Sequence, residues 1–263
     1  MSFLTHRGSC TLVGAGPGDP ELLTLKAVKA IAAASVLFVD DLVNEAVLVH
    51  ARHGARIVHV GKRGGCRSTP QAFIERLMIT AVNEGEDVVR LKGGDPFIFG
   101  RGGEEVEHLR EAGIEVAVVN GITAGLAAVT ALGVPLTHRD HARGVLFVTG
   151  HARSGDDAVH GPTDWHALAV AARDAHLTLV IYMGVAGAAF IQDGLLSGGL
   201  AAETPAAVVQ HATLARQRHV VTTLEHLCEA IADTGLGGPA VIVIGDVMKG
   251  LYDAGVAASR FGT

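Results

Sequence analysis

Between Leu91 and Arg101 the chain reads Leu-Lys-Gly-Gly-Asp-Pro-Phe-Ile-Phe-Gly-Arg. A buried-strand run, Asp87-Val-Val-Arg-Leu91, precedes it, and a helix-like stretch from Gly102 to Glu111 follows. Two glycines, an acid and a proline at a strand exit let backbone approach a ligand closely, at the edge where open α/β sheets bind ligands. Phe97 and Phe99 offer flat apolar surface beside the cation Arg101, so one short stretch can pack an organic ring and meet an anion. A turn built only to connect strand and helix needs none of these residues.

Other stations have similar character. Gly14-Ala-Gly-Pro-Gly-Asp19 follows the first strand candidate, but Asp19 stands where the dinucleotide fingerprint needs its third glycine. The Gly-Lys pair of a phosphate-binding loop is also missing, and Pro17 removes a backbone donor. The loop suits a nucleoside without phosphates better than NAD. Phe38-Val-Asp-Asp41 puts two carboxylates at a strand end, suited to ribose hydroxyls or to proton acceptance, although a solvated or capping Asp would look the same. Val60-Gly-Lys-Arg-Gly-Gly-Cys66 adds adjacent cations in a glycine-rich loop, and Gly121-Ile-Thr-Ala-Gly125 opens a helix with small residues and a hydroxyl. In Thr137-His-Arg-Asp-His-Ala-Arg143 two arginines suit bidentate carboxylate recognition. His138 and His141 lack an evident third ligand, so no metal is expected. Met183, in Tyr182-Met-Gly184, reads as core or as a flank to a sulfur or adenine ligand.

The elements that must hold these stations alternate. Strand candidates Cys10–Val13, Val36–Val39, Arg56–Val60, Asp87–Leu91 and Glu115–Val119 are separated by helix candidates at 20–34, 44–53, 70–84, 102–112 and 122–132. Such alternation predicts a largely parallel sheet covered by helices. Thr69-Pro70 reads as a capping hydroxyl followed by proline in the first helical position. A proline and a burst of charge at 133–143 break the rhythm. Strands at 144–149, 177–182, 206–210, 219–222 and 240–245 and helices at 164–173, 185–196 and 224–233 follow. The expected layout is a first α/β domain over 1–137, a second over 143–250, and a tail over 251–263. The polar stretch 151–163 reads as a loop.

The 263 residues are 49% hydrophobic and 18% charged, enough to bury a full core. A net charge of −6 argues against general nucleic-acid binding, which needs basic surface. Three scattered cysteines without a CxxC pair fit reduced thiols. No apolar run approaches the roughly 20 residues of a membrane span, and no signal-peptide core is evident, so a cytoplasmic protein is expected.

Taken in order, the stations resemble the tetrapyrrole methyltransferase family, and within it the members acting on uroporphyrinogen III. The match is carried by Val13 to Leu25, Val60-Gly-Lys-Arg63, Val89 to Glu105, Gly121-Ile-Thr123, Pro135 to Arg139, Val148 to His151 and Ile181 to Gly184. The resemblance implies two α/β domains with the active site in the cleft between them, in a homodimer. It implies S-adenosyl-L-methionine (SAM) as donor, S-adenosyl-L-homocysteine as product, and methylation of uroporphyrinogen III at C2 and C7 to precorrin-2.

By the family pattern, Pro17, Gly93, Gly94, Asp95, Ile98, Thr123, Ala124, Met183 and Ala212 map onto the donor site. Asp40 aligns with a proton acceptor and Lys62 with a proposed donor, while Arg101 and Glu104 are rival acid/base candidates. Arginine is a poor base at its usual pKa, so Arg101 suits carboxylate orientation better. The eight carboxylates of the macrocycle call for cations, Arg101 and Arg139, and for apolar walls, Phe97 and Phe99. Three positions depart from the pattern: Asp41 replaces a common basic residue, Asn120 a usual proline, and Ala212 a frequent glycine. No dehydrogenase or ferrochelatase activity is expected. A methyltransferase acting on a later precorrin and a non-catalytic SAM- or tetrapyrrole-binding protein are the alternatives.

Overall fold

The computed structural model describes residues 8–61, 70–150 and 163–251. By contacts the chain divides into two compact units, Met1–Ala124 and Gly125–Thr263.

The first unit is built on β1 (Ser9–Gly14), β2 (Val36–Val39), β3 (Arg56–His59), β4 (Asp87–Lys92) and β5 (Val116–Val119). They pair in the order β3-β2-β4-β1-β5, all parallel. Side chains of a strand alternate between faces, and the two faces are separately apolar. Cys10, Leu12, Val36, Phe38 and Val88 pack with Ile74 and Met78 of α2 (Gln71–Asn83) and with Val106 and Leu109 of α3 (Gly102–Glu111). Val13, Leu37, Val39, Val89 and Leu91 pack with Ala27 and Ile31 of α1 (Leu25–Ala33). The neighbours β1 and β4 therefore send their connections in opposite directions over opposite faces, the arrangement that places ligands at the carboxyl ends of the strands.

Two helix expectations of the first unit change in detail, as does the 185–196 helix of the second, which begins with a 3-10 turn, Val185–Gly187. The 20–34 segment splits into a 3-10 turn, Pro20–Leu22, and α1, because Leu23 and Thr24 are extended and the Thr24 hydroxyl caps α1 by accepting from Ala27 N. The 44–53 segment is a 3-10 helix, Glu45–His50, capped by Asn44. Pro70 takes the cap position of α2 rather than its first helical position, and Thr69 lies outside the described residues.

The second unit holds β6 (Gly144–Thr149), β7 (Leu177–Tyr182), β8 (Pro205–Gln210), β9 (Arg218–Thr223) and β10 (Ala240–Ile244), in the order β6-β7-β10-β8-β9. Only β6 and β7 pair in parallel; the other pairs are antiparallel. The seven residues between β8 and β9 are too few for a parallel crossover, which needs a dozen or more. The core joins Leu179, Ile181, Ile242 and Ile244 of the sheet to Trp165 and Ala169 of α5 (Trp165–Asp174) and to Ile191 and Leu195 of α6 (Ala188–Ser197). Leu227 of α7 (Leu227–Thr234) joins the same core. The short α4 (Ala124–Thr130) begins at the division between the units.

Candidate active site

The glycine-bearing stations of the first unit gather at the carboxyl edge of its sheet, because every strand there points the same way. Gly16 N–H donates to Gly94 O at 3.2 Å, and Gly94 N–H donates back to Gly16 O at 2.7 Å. Both have left-handed backbones, φ +73° and +66°, which a side chain would strain. Gly121 lies against them, and a β-carbon there would overlap the Gly94 carbonyl oxygen.

Asp95, 6% exposed, staples the array. One carboxylate oxygen accepts from Phe97 N at 2.8 Å; the other accepts from Gly121 N and Asn120 Nδ2, both at 3.1 Å. The departure at Asn120 thus supplies a donor that proline lacks. A β-carbon on Gly94 would meet Thr123 Cα at 3.7 Å and Ala124 N at 3.8 Å, ordinary van der Waals contact, so the loop after β4 lies directly against the start of α4. This surface of small residues and backbone, without a phosphate-gripping loop, fits an uncharged nucleoside such as that of SAM.

Beyond Asp95 the chain turns outward. Ile98 is half-buried, while Phe97 and Phe99 are 52% and 41% exposed, unusual for side chains of that size. Phe99 and Arg101 both have positive φ, +52° and +58°. Left-handed non-glycine residues cost of order 1–3 kcal/mol and concentrate at functional loops. Arg101 stands at the cap of α3, and its Nε is 3.1 Å from both Glu104 carboxylate oxygens. Hydrogen bonding to Glu104 raises the Arg101 guanidinium above its ordinary pKa, so it is a fixed cation and not a base.

At the end of β2, Asp40 and Asp41 line a recess of about 110 Å³ with Val39, Val43, Glu45 and His59. That volume is small beside the roughly 300–1,000 Å³ of ligand clefts, and suits water or the edge of a larger molecule. Below it lies a charged group that the strand reading passed over. Arg90 is 2% exposed, Lys92 3% and Glu105 0%. Arg90 Nε donates to Glu105 Oε1 at 3.1 Å, and Lys92 Nζ is 3.2 Å from Oε2. Arg90 also reaches Asp40 Oδ1 at 3.6 Å and donates to the Phe38 and Leu91 carbonyls. Gln71 donates to Glu105 Oε1 at 2.8 Å. Burial, and then the Arg90 charge, lowers the Lys92 pKa; Glu105 and Asp40 oppose that shift. The signal was present: arginine and lysine at alternate positions of a strand buried on both faces.

Lys62 lies outside the described residues. In the second unit, Met183 is 51% exposed with φ +55°, which removes the core reading for it. Tyr182 Oη accepts from Gly125 N at 2.7 Å, fixing the first turn of α4 to the end of β7. Ala212 is buried between His211 and Thr213, and the positive φ angles fall on these two neighbours, +52° and +67°. Alanine is therefore accommodated where glycine is frequent. Arg139 is exposed in a tight turn closed by reciprocal His138–Ala142 backbone bonds of 2.9 Å. His138 and His141 stack at 4.7 Å, and among the described residues no group of three His, Cys, Asp or Glu side chains could hold a metal ion.

These features define an α/β protein whose small-residue loops, exposed aromatics and fixed arginine gather at the carboxyl ends of parallel strands. The family described as Tetrapyrrole (Corrin/Porphyrin) Methylases matches residues 9–228. A uroporphyrinogen-III C-methyltransferase of Pseudomonas aeruginosa is 53% identical over 252 residues, covering 96% of this chain and 99% of the relative. The crystal structure of a uroporphyrin-III C-methyl transferase from Thermus thermophilus, complexed with S-adenyl homocysteine, aligns with a TM-score of 0.76. It is 40% identical and covers 92% of this chain and 99% of its own. A cobalt precorrin-4 methyltransferase of cobalamin biosynthesis aligns with a TM-score of 0.79 at 26% identity, covering 91% and 95%. The chain belongs to the tetrapyrrole methylases.

Proposed function

We propose that this chain methylates uroporphyrinogen III at C2 and C7 with SAM as donor, giving precorrin-2 by way of precorrin-1. The observation that carries the reading is the likeness to a uroporphyrinogen-III C-methyltransferase along nearly the whole of both chains. Identity to the enzyme of the later precorrin step is about half as high, 26% against 53%, which favours the earlier substrate. The product then feeds sirohaem, cobalamin or haem d1 synthesis.

SAM supplies an electrophilic methyl group on a sulfonium that carries no phosphate. The chain's own residues supply position and proton transfer. The Gly93-Gly94 backbone, Thr123, Ala124, Pro17 and Ile98 hold the donor, with Met183 and Ala212 of the second unit assigned to it as well. Asp95 contributes by fixing the loop, since both its side-chain oxygens are engaged there. Displacement at carbon depends strongly on alignment of the reacting atoms, and short loops stapled to one another hold that alignment.

On the acceptor side, Phe97 and Phe99 pack the macrocycle while Arg101 and Arg139 take its carboxylates. A carbon–carbon bond forms at the pyrrole carbon as the sulfonium–methyl bond breaks, S-adenosyl-L-homocysteine leaves with the sulfur electron pair, and a proton passes from the ring system to a base. Asp40 is the better acceptor for that proton, because it lines the recess and meets Arg90 only at 3.6 Å, whereas both Glu104 oxygens are hydrogen-bonded by Arg101. Lys62 is assigned as proton donor by the family pattern alone. The resemblance also supports a homodimer. Among the described residues, no helix is long and apolar enough to cross a membrane.

Purified protein incubated with SAM and enzymatically prepared uroporphyrinogen III should develop the precorrin-2 chromophore. Binding of both ligands without turnover would instead favour a non-catalytic tetrapyrrole-binding protein. Turnover restricted to a more methylated precorrin would favour the later enzyme.

A further inference from the structure

We infer that Arg90 is a positioning residue for Asp40, and that the buried group Arg90–Glu105–Lys92 exists to hold that carboxylate at the recess. The inference rests on the reading of Asp40 as the proton acceptor.

Three observations carry it. First, Arg90 occupies a strand position on the face shared with Val88 and Cys10, where apolar residues fill the core. A cation there is costly unless paired and fully hydrogen-bonded. Second, its guanidinium is divided between two carboxylates of different character: Glu105 is wholly buried, whereas the Asp40 side chain is 34% exposed and lines the recess. Bonds to the Phe38 and Leu91 carbonyls lock the guanidinium plane on the strands that end at Asp40 and at the Gly93-Gly94 loop. Third, Lys92 Nζ faces the second Glu105 oxygen, so two cations balance two carboxylates, and α3, which carries Glu104 in its first turn, is tied to the same group. Holding the fold together would need apolar side chains at these positions, not a fork aimed at a solvent-facing carboxylate.

A double-mutant cycle on the full-length protein separates positioning from packing. Arg90→Lys keeps the charge but loses the planar fork that reaches both carboxylates. Single-turnover rates would be measured for Arg90→Lys, Asp40→Asn and the double variant, with SAM affinity by calorimetry as the check on folding. The expected result is a fall in rate of up to about a hundredfold for Arg90→Lys, the scale of an ångström-level misplacement, with SAM affinity unchanged. In the Asp40→Asn background the same substitution should have almost no further effect. Should Arg90→Lys fail to fold, Glu105→Gln, which removes the anionic anchor of Arg90, replaces it in the same cycle.

Rate losses that multiply independently in the double variant would overturn the positioning role while leaving Asp40 as acceptor. An Arg90→Lys variant with unchanged rate would do the same. An unchanged rate in Asp40→Asn alone would overturn both the acceptor assignment and the role of Arg90.

Discussion

One carboxylate oxygen of Asp95 accepts from the Gly121 backbone N–H at 3.1 Å, joining the loop after β4 to the loop after β5. The other oxygen is taken by Phe97 N, inside its own loop. Asp95→Ala should therefore leave backbone donors of two loops without their acceptor and weaken SAM binding, by about tenfold if about one buried hydrogen bond of 1–2 kcal/mol is lost in holding the site. Asp95→Asn, which keeps one acceptor oxygen, should fall between. Calorimetry with SAM gives the order, and an unchanged affinity in Asp95→Ala would count against the role.

Arg101 offers a different split. Its guanidinium is on the outward side of the loop and is half-exposed, paired to Glu104. Arg101→Ala is expected to abolish or strongly reduce methylation with little change in SAM affinity. A loss of SAM binding of equal size would put Arg101 in the donor pocket instead.

The buried charges make a stability prediction. Removing one partner of such a group leaves a buried charge uncompensated, at a cost of about 3–5 kcal/mol. Glu105→Ala should show that loss in urea unfolding, and Glu105→Gln a smaller one, because glutamine still accepts from Arg90 Nε. Equal, small losses in both would show that the carboxylate charge is not being used.

Cys10 gives a pH test. Burial, and then the Glu105 charge, pushes its thiol up from an ordinary 9.0 to about 12. The folded chain thus keeps this proton where the unfolded chain releases it. The resulting stabilisation is complete below about pH 9 and is lost as pH rises toward about 12. The stability of the unsubstituted chain should fall relative to Cys10→Ala between pH 9 and 11, measured by denaturant unfolding; parallel curves would contradict the shift.

Much of this architecture was legible because strand and loop chemistry are local. Val36–Val39, Gly144–Thr149 and Leu177–Tyr182 fall on the residues that β-branched runs and flanking turn residues predict. The mixed pairing of the second sheet was not legible, since direction depends on which strands meet and not on their own residues.

The site divides in the same way. The glycines at 93 and 94 announce close backbone approach, and Gly94 has the left-handed backbone that such residues allow. The sequence does not say which way a side chain turns, and the bonds of the Asp95 carboxylate to Phe97 N, Asn120 Nδ2 and Gly121 N emerge only from the fold. Arg90, Lys92 and Glu105 give no comparable signal, because hydrophobic neighbours dominate the pattern of β4. Their charges make sense only once α3 is laid on the sheet.

The most direct test of the central claim uses SAM carrying a 13C-methyl group. With uroporphyrinogen III as acceptor, the proposal predicts two labelled methyl groups on the product, at C2 and C7, visible by NMR. Label at any other ring position, or label appearing only when an already methylated precorrin is supplied, would contradict it.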